Sequence, residues 1–213
     1  MGRLVHYDLM VTGFSQNCRV ISYAGGREAV VIDPGGESSR IVEILKAKQL
    51  TLTAIWLTHS HLDHCGGVAA LKRYADVPLS AHPIEAPLRA RVVEIGQMYG
   101  ADEDLENCPE PEQSLRGGEQ LTFGPLSFEV LFTPGHSPGH LCFYEKSAKA
   151  LIAGDAVFAG SIGRTDLPGG DSETLLASIH QKILTLPADT VIMSGHGPDT
   201  TVGEEARSNP FLS

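Results

Sequence analysis

Residues 58–67 read THSHLDHCGG, which puts His59, His61, Asp63 and His64 within six positions, directly after the apolar run AIWL and before a pair of glycines. Imidazole and carboxylate are side chains that hold divalent ions at neutral pH. His59 and His61 stand two residues apart just past a predicted strand, where extended geometry points both rings the same way. Asp63 and His64 fall where the chain turns toward the next helix and could face a second ion. Three further candidates close later apolar runs, each beside a glycine: His136 in TPGHSPGH, Asp155 in AGDAVF and His196 in SGHGP.

Counting decides more than the motif does. Five imidazoles and two carboxylates exceed what one tetrahedral zinc holds, since a catalytic zinc takes three protein ligands and a water. Two ions fit the set. With Asp155 as a bridge, His59, His61 and His136 complete one site, while Asp63, His64 and His196 complete the other. Ions about 3.5–4 Å apart can share a hydroxide, formed near neutral pH because the pKa of bound water falls to about 7. Asp63 and Ser60 taken alone could be helix caps, and any one histidine could be structural. For the whole cluster that account is weak, because gathering so many ionisable groups without an ion is costly.

The elements that must position these groups are short and alternate. RVISYA (19–24) and AVVIDPGG (29–36) predict strands, the second closed by a Pro-Gly-Gly turn. SSRIVEILKAKQL has helical spacing behind a serine cap and precedes the strand TAIWLT, so a βαβ-like unit leads into the histidines. GGVAALKRYA predicts a helix, VPLSA a strand, and residues 84–100 one helix ending at Gly100. Residues 102–120 are acidic and rich in Pro and Gly, too polar to pack, and predict a loop with the character of a lid. LSFEVLFTP, HLCFYEK, KALIAGDAVF and TVIMSG predict strands, with a helix near 172–186. This order suits two sheets packed face to face with helices outside, and equally a doubly wound sheet.

The remaining properties bound the partners. At 213 residues with 42% hydrophobic and 20% charged residues the chain fits one globular domain, 1–213, without an internal linker. A net charge of −10 with scattered Lys and Arg speaks against nucleic acid and anionic membranes, and favours a small-molecule partner. No apolar run approaches the ~20 residues that span a bilayer. The opening residues lack a signal peptide's pattern, and Cys18, Cys65, Cys108 and Cys142 have no CxxC spacing; reduced thiols in the cytoplasm are expected.

THSHLDH resembles the HxHxDH signature of the metallo-β-lactamase superfamily, and TPGHSPGH, Gly154-Asp155 and GHGP resemble its later ligand motifs in the same order. The resemblance covers nearly the whole chain. It implies an α/β fold of the αββα four-layer type, with two mixed β-sheets, outer helices and metals at one edge, and it supports the ligand partition above. Within the superfamily, FSQNCRVI, VIDPGG, GSIGRTDLPGGD and NPFLS are similar to the short bacterial glyoxalase II-like enzymes, the hydroxyacylglutathione hydrolase group. That implies thioester hydrolysis, S-lactoylglutathione giving lactate and glutathione. Asp63 would serve as the catalytic residue that binds one ion and orients the nucleophile. The implied cofactors are two divalent ions, zinc first, with iron or manganese as alternatives. The partner is a small thioester derived from glutathione, and the expected state is a monomer or small homo-oligomer.

Two departures narrow the expectation. Full-length glyoxalase II enzymes carry a C-terminal helical glutathione-binding region, which is not expected here because the chain stops about seventeen residues after His196. Where those enzymes place a Tyr two residues after a Lys or Arg, this chain has Arg164 followed by Asp166. Arg164 could pair with a substrate carboxylate, and both residues are substrate-binding candidates beside the alternative of a local ion pair. An iron-dependent persulfide dioxygenase resembles the chain through GRTD, with His59, His136 and Asp155 as its ligands; a lactonase and a non-catalytic metal-binding protein are further alternatives. Asp33 is expected to hydrogen-bond a ligand histidine, His140 to support the site from behind, and Cys65 to be a small core residue. His82 is expected at a helix start, and His6 and His180 as ordinary strand and helix residues.

Overall fold

The computed structural model describes residues 2–101 and 105–212. The chain divides into two compact units, Met1–Leu115 with Phe123–Leu126, and Arg116–Thr122 with Ser127–Ser213. Each unit is built on one mixed six-stranded sheet with helices against it, as the expected fold class requires. Among the described residues no helix is long and apolar enough to cross a membrane.

The first sheet runs in chain order through β1 (Leu4–Val11), β2 (Gln16–Tyr23), β3 (Glu28–Ile32), β4 (Thr51–Trp56), β5 (Leu79–Ala81) and β6 (Gln113–Ser114). Its first two pairings are antiparallel; β3 with β4, β4 with β5 and β5 with β6 are parallel. β1 is an edge strand, largely alternating between part-buried and exposed residues, whereas β3 is buried at four consecutive positions, as a parallel strand covered on both faces should be. Helices α1 (Ser38–Ala47), α2 (Leu62–Cys65), α3 (Val68–Tyr74), α4 (Ala86–Arg89) and α5 (Val92–Tyr99) complete the unit. Ile41 and Leu45 of α1, Val68 and Leu71 of α3 and Val92 of α5 share one core with Val20, Val31 and Ile55 of the sheet.

Residues 84–100 are not the single helix that their periodicity predicts. A 3₁₀ turn at Pro83–Glu85 leads into α4, and the chain breaks at Ala90 and Arg91 before α5. The cause is a competition for hydrogen bonds. The Arg89 carbonyl, which would accept from Val93 in a continuous helix, accepts instead from the Cys108 amide at 3.0 Å, and the Val93 amide donates to Asn107 Oδ1 at 3.0 Å. The predicted stop is where it was expected, with Gly100 in the left-handed region at φ 67°.

The partners in that exchange belong to the stretch predicted as a polar loop. Residues 102–104 of it lie outside the described residues. The rest packs more than expected: Cys108 is buried, and Leu105 joins the first core. Glu106 makes a two-pronged ion pair with Arg73 at 2.7 and 2.5 Å, and Glu112 accepts from the Leu79 amide at 2.8 Å while pairing with Lys72. Charge that looks unsuited to packing is absorbed by opposite charge on the neighbouring helix.

Downstream come β7 (Gln120–Phe123), β8 (Leu126–Phe132), β9 (Leu141–Glu145) and β10 (Ala150–Gly154), then a hairpin of β11 (Val157–Phe158) and β12 (Ser161–Ile162). Helix α6 (Ser172–Ser178) continues as one π turn to Ile183, and β13 (Val191–Ser194), β14 (Thr200–Thr201) and α7 (Val202–Ser208) follow. The second sheet has the order β14-β13-β10-β9-β8-β7. β10 is parallel to β13 and antiparallel to β9, which is antiparallel to β8, so β8, β10 and β13 all run the same way. Leu175, Ile179 and Ile183 pack with Leu151, Ala153 and Ile192. All four cysteines are buried thiols without disulfides.

Candidate functional site

Topology gathers each group of candidate ligands before any side chain is considered. In the first sheet the parallel register aligns Ile32 with Trp56 and Ile55 with Leu79, so the residues after β3, β4 and β5 emerge at one edge. Asp33, the 58–64 motif and His82 follow those ends. In the second, the shared direction of β8, β10 and β13 places His136, Asp155 and His196 past three strand ends at one edge. The amide of Gly195 donates to the Gly154 carbonyl at 2.7 Å, which locks the His196 turn beside Asp155.

Glycine makes the first group possible. A Cβ on Gly35 would lie 1.5 Å from the Asp63 carbonyl oxygen, so the Pro-Gly-Gly turn can sit against α2 only because it has no side chain there. Gly67 completes the junction: its amide donates to the Pro34 carbonyl at 2.9 Å, and Ser38 Oγ donates to its carbonyl at 2.9 Å. Asp33, at φ 52°, is held in a conformation that L residues rarely take.

That strained carboxylate organises the histidines. Its Oδ1 accepts the Thr58 amide at 2.7 Å and its Oδ2 accepts the Thr58 hydroxyl at 2.6 Å, while His64 Nδ1 lies 2.9 Å from Oδ2. A carboxylate only accepts, so His64 carries its proton on Nδ1 and presents the lone pair of Nε2. Thr58 has given its one proton to Asp33. Toward His59 Nδ1, 3.0 Å away, its oxygen must therefore accept, and His59 too presents Nε2. His59 Nε2 and His61 Nδ1 stand 3.0 Å apart, and His64 Nε2 is 3.9 Å from Asp63 Oδ2. His59 and His64 are buried, whereas His61 and Asp63 are half-buried.

The second group is built on the same plan. His136 Nδ1 donates to the main-chain carbonyl of Arg164 at 2.7 Å, which leaves Nε2 as the lone-pair atom. That Nε2 and the Nε2 of His196 are each 3.5 Å from Asp155 Oδ2. These separations are long for hydrogen bonds. They match the spacing of ligand atoms around a tetrahedral ion, where metal–nitrogen bonds of about 2.0–2.1 Å put donors about 3.4 Å apart. His140, fully buried, accepts the Asp155 amide on Nε2 at 3.1 Å and approaches Thr133 Oγ1 through Nδ1 at 2.8 Å. Its expected supporting place is thus observed, behind Asp155.

A loop closes over this group. A Cβ on Gly163 would meet the Asp155 carbonyl oxygen at 1.9 Å and the His136 ring at 3.1 Å. The hairpin leading into Gly163 is anchored by buried Glu205, which accepts from the Gly160 amide at 2.9 Å, and by Asn209, which donates to the Ser161 carbonyl at 3.0 Å. Turn 133–136 is tied to α6 through the Ser178 hydroxyl, 2.8 Å from the Pro134 carbonyl, and the Asp171 amide, 2.7 Å from that of Gly135.

Arg164 and Asp166, candidates for substrate contact, form a two-pronged ion pair on the surface at 2.8 and 2.7 Å. The Arg164 guanidinium holds the Asp166 carboxyl down at about 2, below its usual range. It is the Arg164 carbonyl, a backbone atom, that holds the His136 ring. Arg164→Ala is therefore expected to keep the wild-type metal content, measured by elemental analysis, while an NMR titration finds Asp166 back among ordinary carboxylates.

Sequence reasoning placed Cys65 in the core and His82 at a helix start, and both are there; His82 Nδ1 accepts from the Ile84 amide at 3.2 Å. It missed the residues that brace the histidines: Thr58, within the motif, and Glu85 and Arg89, outside it. Thr58 had a signal, a hydroxyl between a strand and a histidine. Glu85 and Arg89 had none, because pattern does not report which distant side chain reaches a turn.

Comparison with known proteins identifies the family and the fold. A family model described as the metallo-beta-lactamase superfamily matches residues 11–196. The hydroxyacylglutathione hydrolase GloC of Haemophilus influenzae is 41% identical over 204 residues, covering 95% of each chain. Among solved structures, the BLEG-1 B3 metallo-beta-lactamase superposes with a TM-score of 0.90 at 39% identity, covering 98% of this chain and all of the other. TTHA1623 in a di-iron-bound form superposes with a TM-score of 0.88, also at 39% identity, covering 97% and 100%.

Proposed function

The chain belongs to the metallo-β-lactamase superfamily, and from that premise we propose that it is a two-metal thioester hydrolase of the glyoxalase II type, acting on a glutathione-derived thioester in the cytoplasm. The metallohydrolase class follows from the family and from the His/Asp clusters. The thioester specificity is our inference, supported by the GloC relative.

One observation carries the two-metal part: Asp155 Oδ2 stands 3.5 Å from both His136 Nε2 and His196 Nε2. A single oxygen equidistant from two imidazole nitrogens is suited to bridging. We assign His59, His61, His136 and Asp155 to one ion and Asp63, His64, His196 and Asp155 to the other. The donors fit such ions, since His59, His64 and His136 are held with Nε2 unprotonated by partners that accept at Nδ1. Zinc suits this nitrogen and oxygen set, and the di-iron form of TTHA1623 makes iron the alternative. When bound, such ions supply a water that ionises near neutral pH and polarise a carbonyl oxygen.

The protein's own part is orientation. Asp63 would help to hold one ion, and its carboxylate would accept a hydrogen bond from the attacking water and so orient it. Asp33, Thr58 and the Arg164 carbonyl keep three imidazoles from rotating or taking up the wrong proton. The guanidinium of Arg164, braced by Asp166, pairs with a substrate carboxylate.

The test is a side-by-side assay of protein with measured metal content against S-lactoylglutathione, glutathione persulfide, an acyl-homoserine lactone and a β-lactam. The expected result is two ions per chain and the highest kcat/KM on the thioester. One iron per chain with oxygen uptake on the persulfide would replace thioester hydrolysis with dioxygenation. Faster turnover of the β-lactam, the class named for BLEG-1, or of the lactone would keep the metal assignment and overturn the substrate.

A further inference from the structure

Ser60 is the residue between His59 and His61, and two buried charged side chains converge on it. Glu85 Oε2 accepts the Ser60 amide at 2.8 Å, and Arg89 Nη1 donates to the Ser60 hydroxyl at 3.3 Å. Glu85 is 1% exposed and Arg89 is fully buried. The same Nη1 donates to the His82 carbonyl at 3.0 Å, and Nη2 pairs with Glu110 at 2.9 Å. Arg89 Nε is buried with no hydrogen-bond partner among the described residues.

Such burial is costly, and an ion pair whose hydrogen bonds are incomplete rarely repays it in stability. An apolar side chain of similar volume would hold α4 against the sheet more cheaply. What an apolar residue could not do is fix the orientation of one peptide unit. The Ser60 amide lies between the Cα atoms of His59 and Ser60, so its rotation swings the His59 ring relative to the His61 ring. Their facing nitrogens are 3.0 Å apart, a spacing that a small rotation would open.

We propose that Glu85 and Arg89 are positioning residues for metal binding: through the Ser60 amide and hydroxyl they hold the His59–Ser60–His61 turn so that both imidazoles meet one ion. This rests on the assignment of His59 and His61 as ligands. Neither residue touches the ion; both act through Ser60. The broken helix has a purpose in this arrangement, because the 3₁₀ turn at Pro83–Glu85 and the short α4 set Glu85 and Arg89 where both reach the same serine.

The experiment is metal titration of the full chain by competition with a chromogenic chelator, with cobalt(II) substitution to report ligand geometry and thermal melting to report the fold. Glu85→Gln is expected to weaken zinc binding roughly 10–100-fold and to shift the cobalt visible bands. Glu112→Gln is the control, since Glu112 likewise caps a backbone amide, that of Leu79, but away from the histidines; its metal affinity should match wild type even if its melting temperature falls. Ser60→Ala removes only the hydroxyl that Arg89 grips, and should weaken zinc about tenfold with an unchanged melt. If Glu85→Gln fails to fold, Ser60→Ala decides. Wild-type zinc affinity and cobalt spectrum in folded Glu85→Gln, or in Ser60→Ala when it alone folds, would overturn the proposal, whatever happened to stability. A wild-type protein that bound neither zinc nor cobalt would overturn the ligand assignment as well.

Discussion

Protein carrying Asp155→Ala is expected to fold but to hold less than one ion per chain and to lose roughly a thousandfold or more in kcat/KM. The scale follows from the several kcal/mol that metal ions contribute to stabilising developing charge, at 1.36 kcal/mol per factor of ten. Asp155 is expected to be the most damaging single position because its Oδ2 lies 3.5 Å from two candidate ligand nitrogens, so that in the proposed assignment its loss would reach both ions. Asp63→Ala should instead leave about one ion bound, that of the other proposed ligand set, while activity falls comparably because the nucleophile would lose its proposed orienting group. Elemental analysis beside steady-state kinetics separates the two variants. Full metal content in Asp155→Ala would show that Asp155 does not bridge.

Gly35→Ala should be the most destructive substitution outside the ligands. The added carbon would sit 1.5 Å from the Asp63 carbonyl oxygen, a distance no side-chain rotation can relieve, because both parties are backbone. The turn and α2 must part. That separates Asp33, on one side of the junction, from His64, on the other, and so releases the Nδ1 contact that sets the histidine's tautomer. A loss of about 3 kcal/mol or more is expected from overpacking of this kind, with zinc affinity falling alongside. Gly25→Ala is the comparison: Gly25 has φ 80° but open space around it, so only backbone strain of about 1–2 kcal/mol applies and metal binding should not change. Denaturant melts and chelator competition on the two variants distinguish a local clash from general glycine loss.

Much of this was legible in the chain because ligands at strand ends leave a local imprint. An apolar run, then His or Asp, then Gly is a sentence-length signal, and it singled out the seven candidate ligands; the contacts of Asp33 with His64 and of His140 with Asp155 are where they were expected. The α/β alternation was equally visible, since each βαβ step is encoded in neighbouring residues. What escaped depended on distant competition. The break at Ala90 exists because Cys108 and Asn107, from the loop beyond the helix, take the hydrogen bonds of Arg89 and Val93. Helix α7 escaped because its seven residues include Val202 and Glu205 as the buried positions, and a carboxylate reads as surface until its partners at Gly160 and Asn209 are known. Acidic residues between 106 and 112 misled for the same reason, as their pairing lysine and arginines lie elsewhere in sequence.

The contact between His136 and residue 164 is made to a main-chain carbonyl, and a carbonyl is the same whatever side chain it carries. Position 164 therefore has two separate parts: its carbonyl holds the His136 ring while its side chain is exposed. A lineage, or a directed-evolution campaign, can exchange that side chain and leave the carbonyl that holds His136 in place. In that sense the fold orients His136 through the backbone and leaves the side chain at 164 open to exchange.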